Sequence, residues 1–148
     1  VKGLGLVCPA AMPGGSINED YLDAFVSARR SKDLREPAKN LFADVSFVTR
    51  DMLEDLIKAK RLDGAQNALT LIKDNLKGAD PDYAALGGRL SDIAAPITLI
   101  ASKTDQIVGA PDPAAFPAGT KDIWIENVGH MPHLEKSADV TTALKELA

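Results

Sequence analysis

Two short apolar runs near the C-terminal end of the chain place the strongest constraint on its fold. The first, Ile97 to Ala101, leads into a polar segment that contains Asp105. The second, Ile123 to Ile125, leads into a segment that contains His130. Short continuous apolar runs are typical of buried parallel strands, which are covered on both faces. Each run therefore predicts a buried strand, and each predicted strand is followed by a residue that can take part in chemistry.

The rest of the chain predicts one more strand and a long helical segment. An apolar run at residues 3–8 reads as a strand and is followed by a turn-rich stretch. Residues 16–77 then carry four successive apolar stripes at helical spacing, the last from Ala65 to Leu76. Residues 80–88 form a polar, glycine-bearing connection to the second strand. The pattern predicts an α/β fold of about three parallel strands, with a four-helix insertion between the first two and a final helix after the third.

Helix-start signals predict where four of these helices begin. Ser16 and the carboxylate three residues later form a capping-box pattern before the first helix. Asp33 opens the second helix, with Pro37 in the first turn, where a proline is tolerated. Thr49 is the predicted cap of the third helix and Ser137 that of the last.

Asp105 and His130 occupy the same relative place, just beyond the end of a predicted strand. In open parallel sheets, functional groups gather at that edge. A carboxylate bonded to one imidazole nitrogen fixes the tautomer and leaves the other nitrogen to take and return a proton. Taken singly, Asp105 is better explained as a turn aspartate and His130 as a structural histidine. Taken together, they predict the acid and base of a nucleophilic triad, with their side chains within hydrogen-bond reach.

Other reactive residues fit this chemistry less well. No G-x-S-x-G motif is present, and Ser16 is better explained as a helix cap than as a nucleophile. Cys8 is expected to be a small buried residue. His133 is interpreted as a wall or surface residue, and Glu135 as the partner of a backbone amide or the cap of the last helix. With two histidines and no zinc-type spacing, no metal site is expected.

Composition bounds the class of protein and its setting. The 148 residues suit one domain of ordinary size, and the net charge of −4 is spread along the chain, which argues against nucleic-acid binding. No apolar run approaches the roughly 20 residues of a membrane span. One cysteine permits no internal disulfide, which favours a cytoplasmic setting. The chain begins without methionine inside a predicted strand, as a piece of a longer protein would.

Two segments resemble the acid and histidine segments of the α/β-hydrolase superfamily. Ile97 to Val108 is similar to the family's apolar strand followed by Gly-x-x-Asp-x-Ile-Val, with Ser102 in place of the glycine. Val128 to Glu135 is similar to Gly-His-Met-x-x-x-Glu. The resemblance implies that Asp105 is the catalytic acid and His130 the catalytic base. It implies no serine, because the nucleophile elbow and the first five or so strands have no counterpart here.

Three segments in the helical region resemble one subgroup of that superfamily. They are residues 41–44 (Leu-Phe-Ala-Asp), 48–52 (Val-Thr-Arg-Asp-Met) and 58–64 (Lys-x-Lys-Arg-Leu-Asp-Gly). The subgroup is the hydrolase-fold domain at the C-terminus of the dihydrolipoyl acetyltransferase component of acetoin dehydrogenase complexes. The resemblance implies a small-molecule acyl substrate, acetyl transfer between a lipoyl group and coenzyme A, and a multienzyme partner. This chain by itself is expected to bind no cofactor, and it identifies no cofactor-binding residues.

The chain is therefore expected to be a partial α/β-hydrolase domain over residues 1–148. Residues 1–11 form a strand and loop, 12–88 a helical cap insertion, and 89–148 the remaining strands, the acid and histidine loops and the final helix. Two other functions stay open: a hydrolase that acts on esters or carbon–carbon bonds, and a non-catalytic assembly module. On its own the chain is expected to be inactive because it lacks a nucleophile. It is also expected to self-associate, through the free edge of its first strand or through an uncovered face of the cap helices.

Overall fold

The computed structural model describes residues 2–10, 12, 15–79 and 86–147. Three strands, β1 (Leu4–Val7), β2 (Ile97–Ala101) and β3 (Lys121–Trp124), form a parallel sheet in the order β1-β2-β3. The central strand is buried at all five positions, as a strand covered on both faces should be. The predicted α/β class is confirmed, although β3 begins two residues before the apolar run that predicted it.

The two faces of the sheet carry separate apolar clusters. On one face, Ile97, Leu99 and Ala101 pack with Phe116. On the other, Ile100 packs with residues of the last helix, including Val140 and Ala143. The helix lies so close to β1 that a Cβ added at position 5 would meet a leucine methyl carbon at 2.5 Å, which explains the glycine there.

Within the described residues, the helical insertion between β1 and β2 contains the four predicted α-helices. They are α1 (Glu19–Ser27), α2 (Ser31–Lys39), α3 (Arg50–Lys60) and α4 (Ala65–Asp74). Shorter turns of 3₁₀ or π type cover Val45–Phe47, Asn75–Ala79, Leu86–Asp92 and Pro113–Ala115. Two helices follow β3: α5 (Pro132–Glu135) and α6 (Ser137–Lys145). Of the predicted connection at 80–88, residues 80–85 lie outside the described part of the chain.

The predicted cap of α1 is wrong. Asn18, rather than Ser16, accepts the hydrogen bond from the amide of Tyr21. The reason is a tertiary contact: the amide of Gly109 donates to the carbonyl of Ser16, and Ile17 forms an isolated bridge with Val108. These bonds hold the chain extended through residue 17, so the helix begins two residues later than the local pattern suggests.

The predicted position of Pro37 is also wrong. Helix α2 begins at Ser31, so Pro37 is its seventh residue instead of lying in the first turn. Asp33 is the third residue of the helix and accepts the amide of Arg30 at 3.1 Å. The proline removes one hydrogen bond near the end of the helix, which stops two residues later.

Of the other two predicted caps, one is confirmed and one is wrong. Thr49 accepts the amide of Met52 at 3.2 Å and caps α3. Ser137 is the first residue of α6 instead of its cap, because α5 runs almost directly into α6. The amide of Val140 already bonds to the carbonyl of Lys136, which leaves the serine inside the helix.

The largest apolar cluster joins the cap helices to the loop that follows β2. Leu34 and Leu53 lie at its centre, fully or almost fully buried. Ile107 and Val108, directly after the acid segment, belong to the same cluster. The cap thus holds the residues that follow Asp105.

Helix α4 contributes least to this cluster. Its apolar stripe predicted a packed helix, but no residue of α4 is buried, and Leu71 and Ile72 are 62% and 49% exposed. Among the described helices, none combines the length and the apolar character needed to cross a membrane.

Candidate active site

Asp105 and His130 lie together at the C-terminal edge of the parallel sheet. Asp105 follows β2 and His130 follows β3, so the parallel pairing of the two strands places both loops at one edge. The Asp105 Oδ2 lies 2.8 Å from the His130 Nδ1, and the predicted contact is confirmed. The carboxylate is 2% exposed and the imidazole 22% exposed. The pair therefore has one buried partner and one partner that can be reached from outside.

The carboxylate of Asp105 is held at both oxygens. Oδ1 accepts the amides of Ile107 at 2.7 Å and Val108 at 3.1 Å, while Oδ2 faces the imidazole. Burial alone would raise the pKa of Asp105, but the hydrogen bonds from His130 and the two amides outweigh it and hold that pKa below its usual value. The group is therefore ionised at neutral pH and suited to fixing the tautomer of His130.

The histidine loop makes a close approach to the cap. Asn127 has a φ of 55°, in the left-handed region, and this turns the chain after β3. A Cβ added at Gly129 would lie 2.6 Å from the carbonyl oxygen of Leu41 and 2.8 Å from backbone carbons of Phe42. Only glycine therefore lets the residue before His130 touch the backbone of the cap just after α2.

Glu135 links the same two segments through hydrogen bonds. Its Oε2 accepts the amide of Gly129 at 2.6 Å, and its Oε1 accepts the amides of Ala43 at 2.8 Å and Asp44 at 3.0 Å. The interpretation of Glu135 as the partner of a backbone amide is confirmed. The sequence could not predict that Glu135 accepts three amides from two segments, because two of these amides lie more than ninety positions away in the chain.

Two hydroxyls tie the acid loop to the histidine loop. Ser102 Oγ and Thr104 Oγ1 both donate to the carbonyl of Val128, at 2.6 and 2.7 Å. Ser102 Oγ also accepts the amide of Thr104 at 3.1 Å. No sequence pattern pointed to this arrangement, because the shared acceptor is a backbone atom in another loop.

The other reactive side chains lie in different settings. His133 is exposed on α5, and Ser16 is exposed beside Gly109. Cys8 is 5% exposed at the end of β1, with a φ of 42°. Burial, followed by the charge of Asp105, raises the pKa of the Cys8 thiol to about 12. The thiol is therefore protonated at neutral pH and a poor nucleophile.

Cys8 also belongs to the one group of possible metal ligands among the described residues. Ligand atoms of Cys8, Asp105 and His130 all lie within 4.8 Å of one another. A metal there would have to displace the thiol proton and take the place of the contact between Asp105 and His130. Of these possible metal ligands, Asp105 and His130 are already hydrogen-bonded to each other.

An open groove lies between the cap and the two loops. Its volume is about 560 Å³. Its lining includes Asn40, Gln106, Asn127 and Thr104, together with the charged residues Lys39 and Asp44. The carboxamides can donate and accept hydrogen bonds, whereas the proton of the Thr104 hydroxyl is already bonded to the carbonyl of Val128. The groove therefore offers a ligand both neutral polar groups and, at Lys39 and Asp44, charged groups.

Curated proteins from two bacteria are similar to this chain, whereas no protein-family model matches it. Both are named as the dihydrolipoyllysine-residue acetyltransferase component of an acetoin cleaving system. The protein of Cupriavidus necator is 34% identical over 146 residues, which make up 99% of this chain and 39% of that protein. The protein of Pseudomonas putida is 31% identical over 140 residues, with coverages of 95% and 37%. The chain thus spans about two fifths of the length of these curated relatives.

Solved structures with the same fold are α/β-hydrolases and related esterases. A meta-cleavage product hydrolase of Pseudomonas fluorescens superposes with a TM-score of 0.77 at 15% identity, covering 99% of this chain and 55% of that one. An esterase of Exiguobacterium antarcticum gives 0.66 at 18% identity, with coverages of 99% and 57%. These relatives confirm the predicted resemblance to part of an α/β-hydrolase and to acetoin-cleaving acetyltransferase components.

Proposed function

We propose that this chain carries the acid and the base of an acyl-transfer site, Asp105 and His130, in an acetoin-cleaving multienzyme complex. The observation that carries the proposal is the 2.8 Å contact between the Asp105 Oδ2 and the His130 Nδ1. The bonds from Ile107 and Val108 to Oδ1 support it, because they keep the carboxylate ionised and fixed in orientation. The nucleophile in this proposal is a serine outside these 148 residues, as in other triads of the same order.

The proposed reaction moves an acetyl group from one thiol to another. The Nε2 of His130 takes the proton of the serine hydroxyl while the serine oxygen bonds to the acyl carbon of a thioester. The carbon–sulfur bond then breaks, and His130 returns the proton to the departing thiol. A second thiol attacks the acyl-enzyme through the same steps in reverse. Throughout, Asp105 holds Nδ1 and stabilises the imidazolium.

The proposed substrates are coenzyme A and a dihydrolipoyl group, each a thiol at the end of a long arm that contains amide bonds. The groove between the cap and the two loops supports them, because the carboxamides of Asn40, Gln106 and Asn127 can pair with such amides. The names of the curated relatives support the same assignment. A cytoplasmic setting, which the single cysteine favoured, belongs to this proposal.

A second candidate is hydrolysis of an ester or a carbon–carbon bond. The names of the solved relatives, esterases and a meta-cleavage product hydrolase, favour it. The same acid and base would then activate water in place of the second thiol. Because both reactions share the acyl-enzyme, they differ only in what accepts the acyl group.

The test is an assay of the full-length polypeptide that carries these residues. We expect His130→Ala to lower acetyl transfer from acetyl-coenzyme A to dihydrolipoamide by about 10⁶-fold. Asp105→Asn should lower it by about 10⁴-fold. His133→Ala, a change of the same type on the exposed side of α5, should leave the rate within about twofold. Near wild-type turnover in His130→Ala would overturn the proposal and favour an assembly module. Turnover with water but not with the thiol would favour the hydrolase.

The 148-residue chain by itself gives a second measurement. We expect it to cleave an activated ester no faster than an equal concentration of imidazole, because a preorganised nucleophile and oxyanion donors are needed for acylation. Triad-like turnover by the purified chain would place the nucleophile within it and would require that part of the proposal to be replaced.

A further inference from the structure

The buried carbonyl of Val128 accepts two side-chain hydroxyls from the opposite loop. Ser102 Oγ lies 2.6 Å and Thr104 Oγ1 lies 2.7 Å from that oxygen, which belongs to a residue with no solvent exposure. A hydroxyl has one proton, so each of the two bonds uses the only proton of its donor. The 3.1 Å approach of the two hydroxyl oxygens then follows from their shared acceptor.

These bonds lie between the last sheet contact and the catalytic pair. The ladder between β2 and β3 ends where the amide of Ile125 bonds to the carbonyl of Ala101. Beyond it, within the described residues, the acid and histidine loops are joined by hydrogen bonds at only two places. One is the pair of hydroxyls on Val128, and the other is the contact between Asp105 and His130. Without the hydroxyls, the contact between Asp105 and His130 would be the one direct hydrogen bond left between the two described loops beyond the sheet, and the other restraint on the loops would come from their packing against the cap.

We propose that Ser102 and Thr104 are positioning residues that set the distance between the Asp105 carboxylate and the His130 imidazole. Thr104 directly precedes Asp105, and Val128 is two residues before His130, so the shared carbonyl fixes both loops next to their functional side chains. Ser102 is 2% exposed, and its hydroxyl both donates to Val128 and accepts from the amide of Thr104. A glycine at 102, as in the related pattern, would remove both bonds.

This inference rests on the proposed function, because it concerns the pair assigned there as acid and base. It is tested first without any activity measurement. In ¹⁵N-labelled chain, the ring nitrogens of His130 report which one carries the proton and how fast that proton exchanges with water. The wild-type ring should hold its proton on Nδ1, because Asp105 accepts there.

The variants remove the donors singly and together. In the double variant Ser102→Gly with Thr104→Val, we expect the His130 ring to populate both tautomers and its Nδ1 proton to exchange on the order of tenfold faster. Thr104→Val and Ser102→Ala alone leave Val128 with one donor each and should give smaller changes of the same kind. Thr104→Ser keeps the hydroxyl and should restore the wild-type signal. Thr142→Val removes a comparable hydroxyl bond on the surface of α6 and is the matched control.

The outcomes separate this inference from the proposed function. An unchanged Nδ1 signal in the folded double variant would overturn the positioning role. If the double variant does not fold, an unchanged signal in both single variants would overturn it. A change in Thr142→Val as large as in Thr104→Val would overturn it as well. In the full-length polypeptide, Thr104→Val should lower kcat more than it changes KM. Loss of the Nδ1 signal without any loss of activity would leave the positioning role standing and would contradict the proposed function.

Discussion

The carboxylate of Glu135 accepts the amide of Gly129, the residue before His130, at 2.6 Å. Its other oxygen accepts the amides of Ala43 and Asp44, in the cap between α2 and α3. One side chain thus fixes the histidine loop and the cap relative to each other. Since backbone amides that lose their partner must be left unsatisfied or hydrated, this side chain should matter for stability as well as for geometry.

We expect Glu135→Gln to lower the free energy of unfolding by about 1–3 kcal/mol, because the amide nitrogen of glutamine cannot accept a hydrogen bond from a backbone amide. Urea unfolding followed by circular dichroism measures the change. Glu36→Gln is the control, since Glu36 forms only an exposed pair with Lys39. Equal effects of the two changes would contradict the role given to Glu135.

Gly129→Ala should be more damaging than Gly5→Ala, although the nearest contact is shorter at Gly5. The added carbon at 129 would meet backbone atoms of Leu41 and Phe42 at 2.6–2.8 Å, which cannot move without shifting the chain. At Gly5 it would meet the end of the Leu144 side chain at 2.5 Å, which can rotate away. We expect a loss of about 3 kcal/mol in the free energy of unfolding at position 129 and a smaller loss at position 5. Thermal or urea unfolding of both variants decides the order.

Asp105 should make the stability of the chain depend on pH in the acid range. Its folded pKa lies below the ordinary value of 3.8, so between the two values the unfolded chain binds more protons and stability rises with pH. The contribution is complete above roughly pH 5 and is lost as the pH falls through the folded pKa. In Asp105→Asn this part of the pH dependence should disappear. Superimposable pH profiles of stability for the two proteins would count against the assigned environment.

Cys8 should react slowly with iodoacetamide in the folded chain. The rise of its pKa from 9.0 to about 12 lowers the thiolate fraction about a thousandfold, and only the thiolate reacts. Denaturation should restore ordinary reactivity. Asp105→Asn should raise the rate in the folded chain, because the charge of Asp105 contributes to the shift. Fast alkylation of the native chain would show that the thiol is not buried as described.

The chain should self-associate at micromolar concentration. Among the described strands, β1 hydrogen-bonds only to β2, so its outer edge offers unpaired backbone groups next to apolar side chains. Sedimentation velocity at several concentrations would detect the association. A monodisperse monomer would mean that the helical insertion covers this edge.

The sequence predicted the parts of the fold that depend on local patterns. Short apolar runs indicated β2 and β3, and the residues after them indicated Asp105 and His130, because parallel strands bring their ends to one edge. Ser16 was mistaken for a cap because a contact with Gly109, far away in the chain, overrides the local signal. The specific partners of Ser102 and Glu135 could not be predicted, since they are backbone atoms and most of them lie in other segments of the chain. The exposure of α4 could not be predicted either, because an apolar stripe does not indicate which element packs against it.

The burial of Ile107 and Val108 in the cap cluster has a consequence for the order of folding. The loop that carries Asp105 is seated only when the cap helices are in place, and the contact between Asn18 and the carbonyl of Gln106 closes 88 residues of chain. Closing a loop of that length costs entropy before any packing compensates for it. The contact between Asp105 and His130 should therefore form late in folding, after the insertion has condensed, and its appearance would mark the last cooperative step.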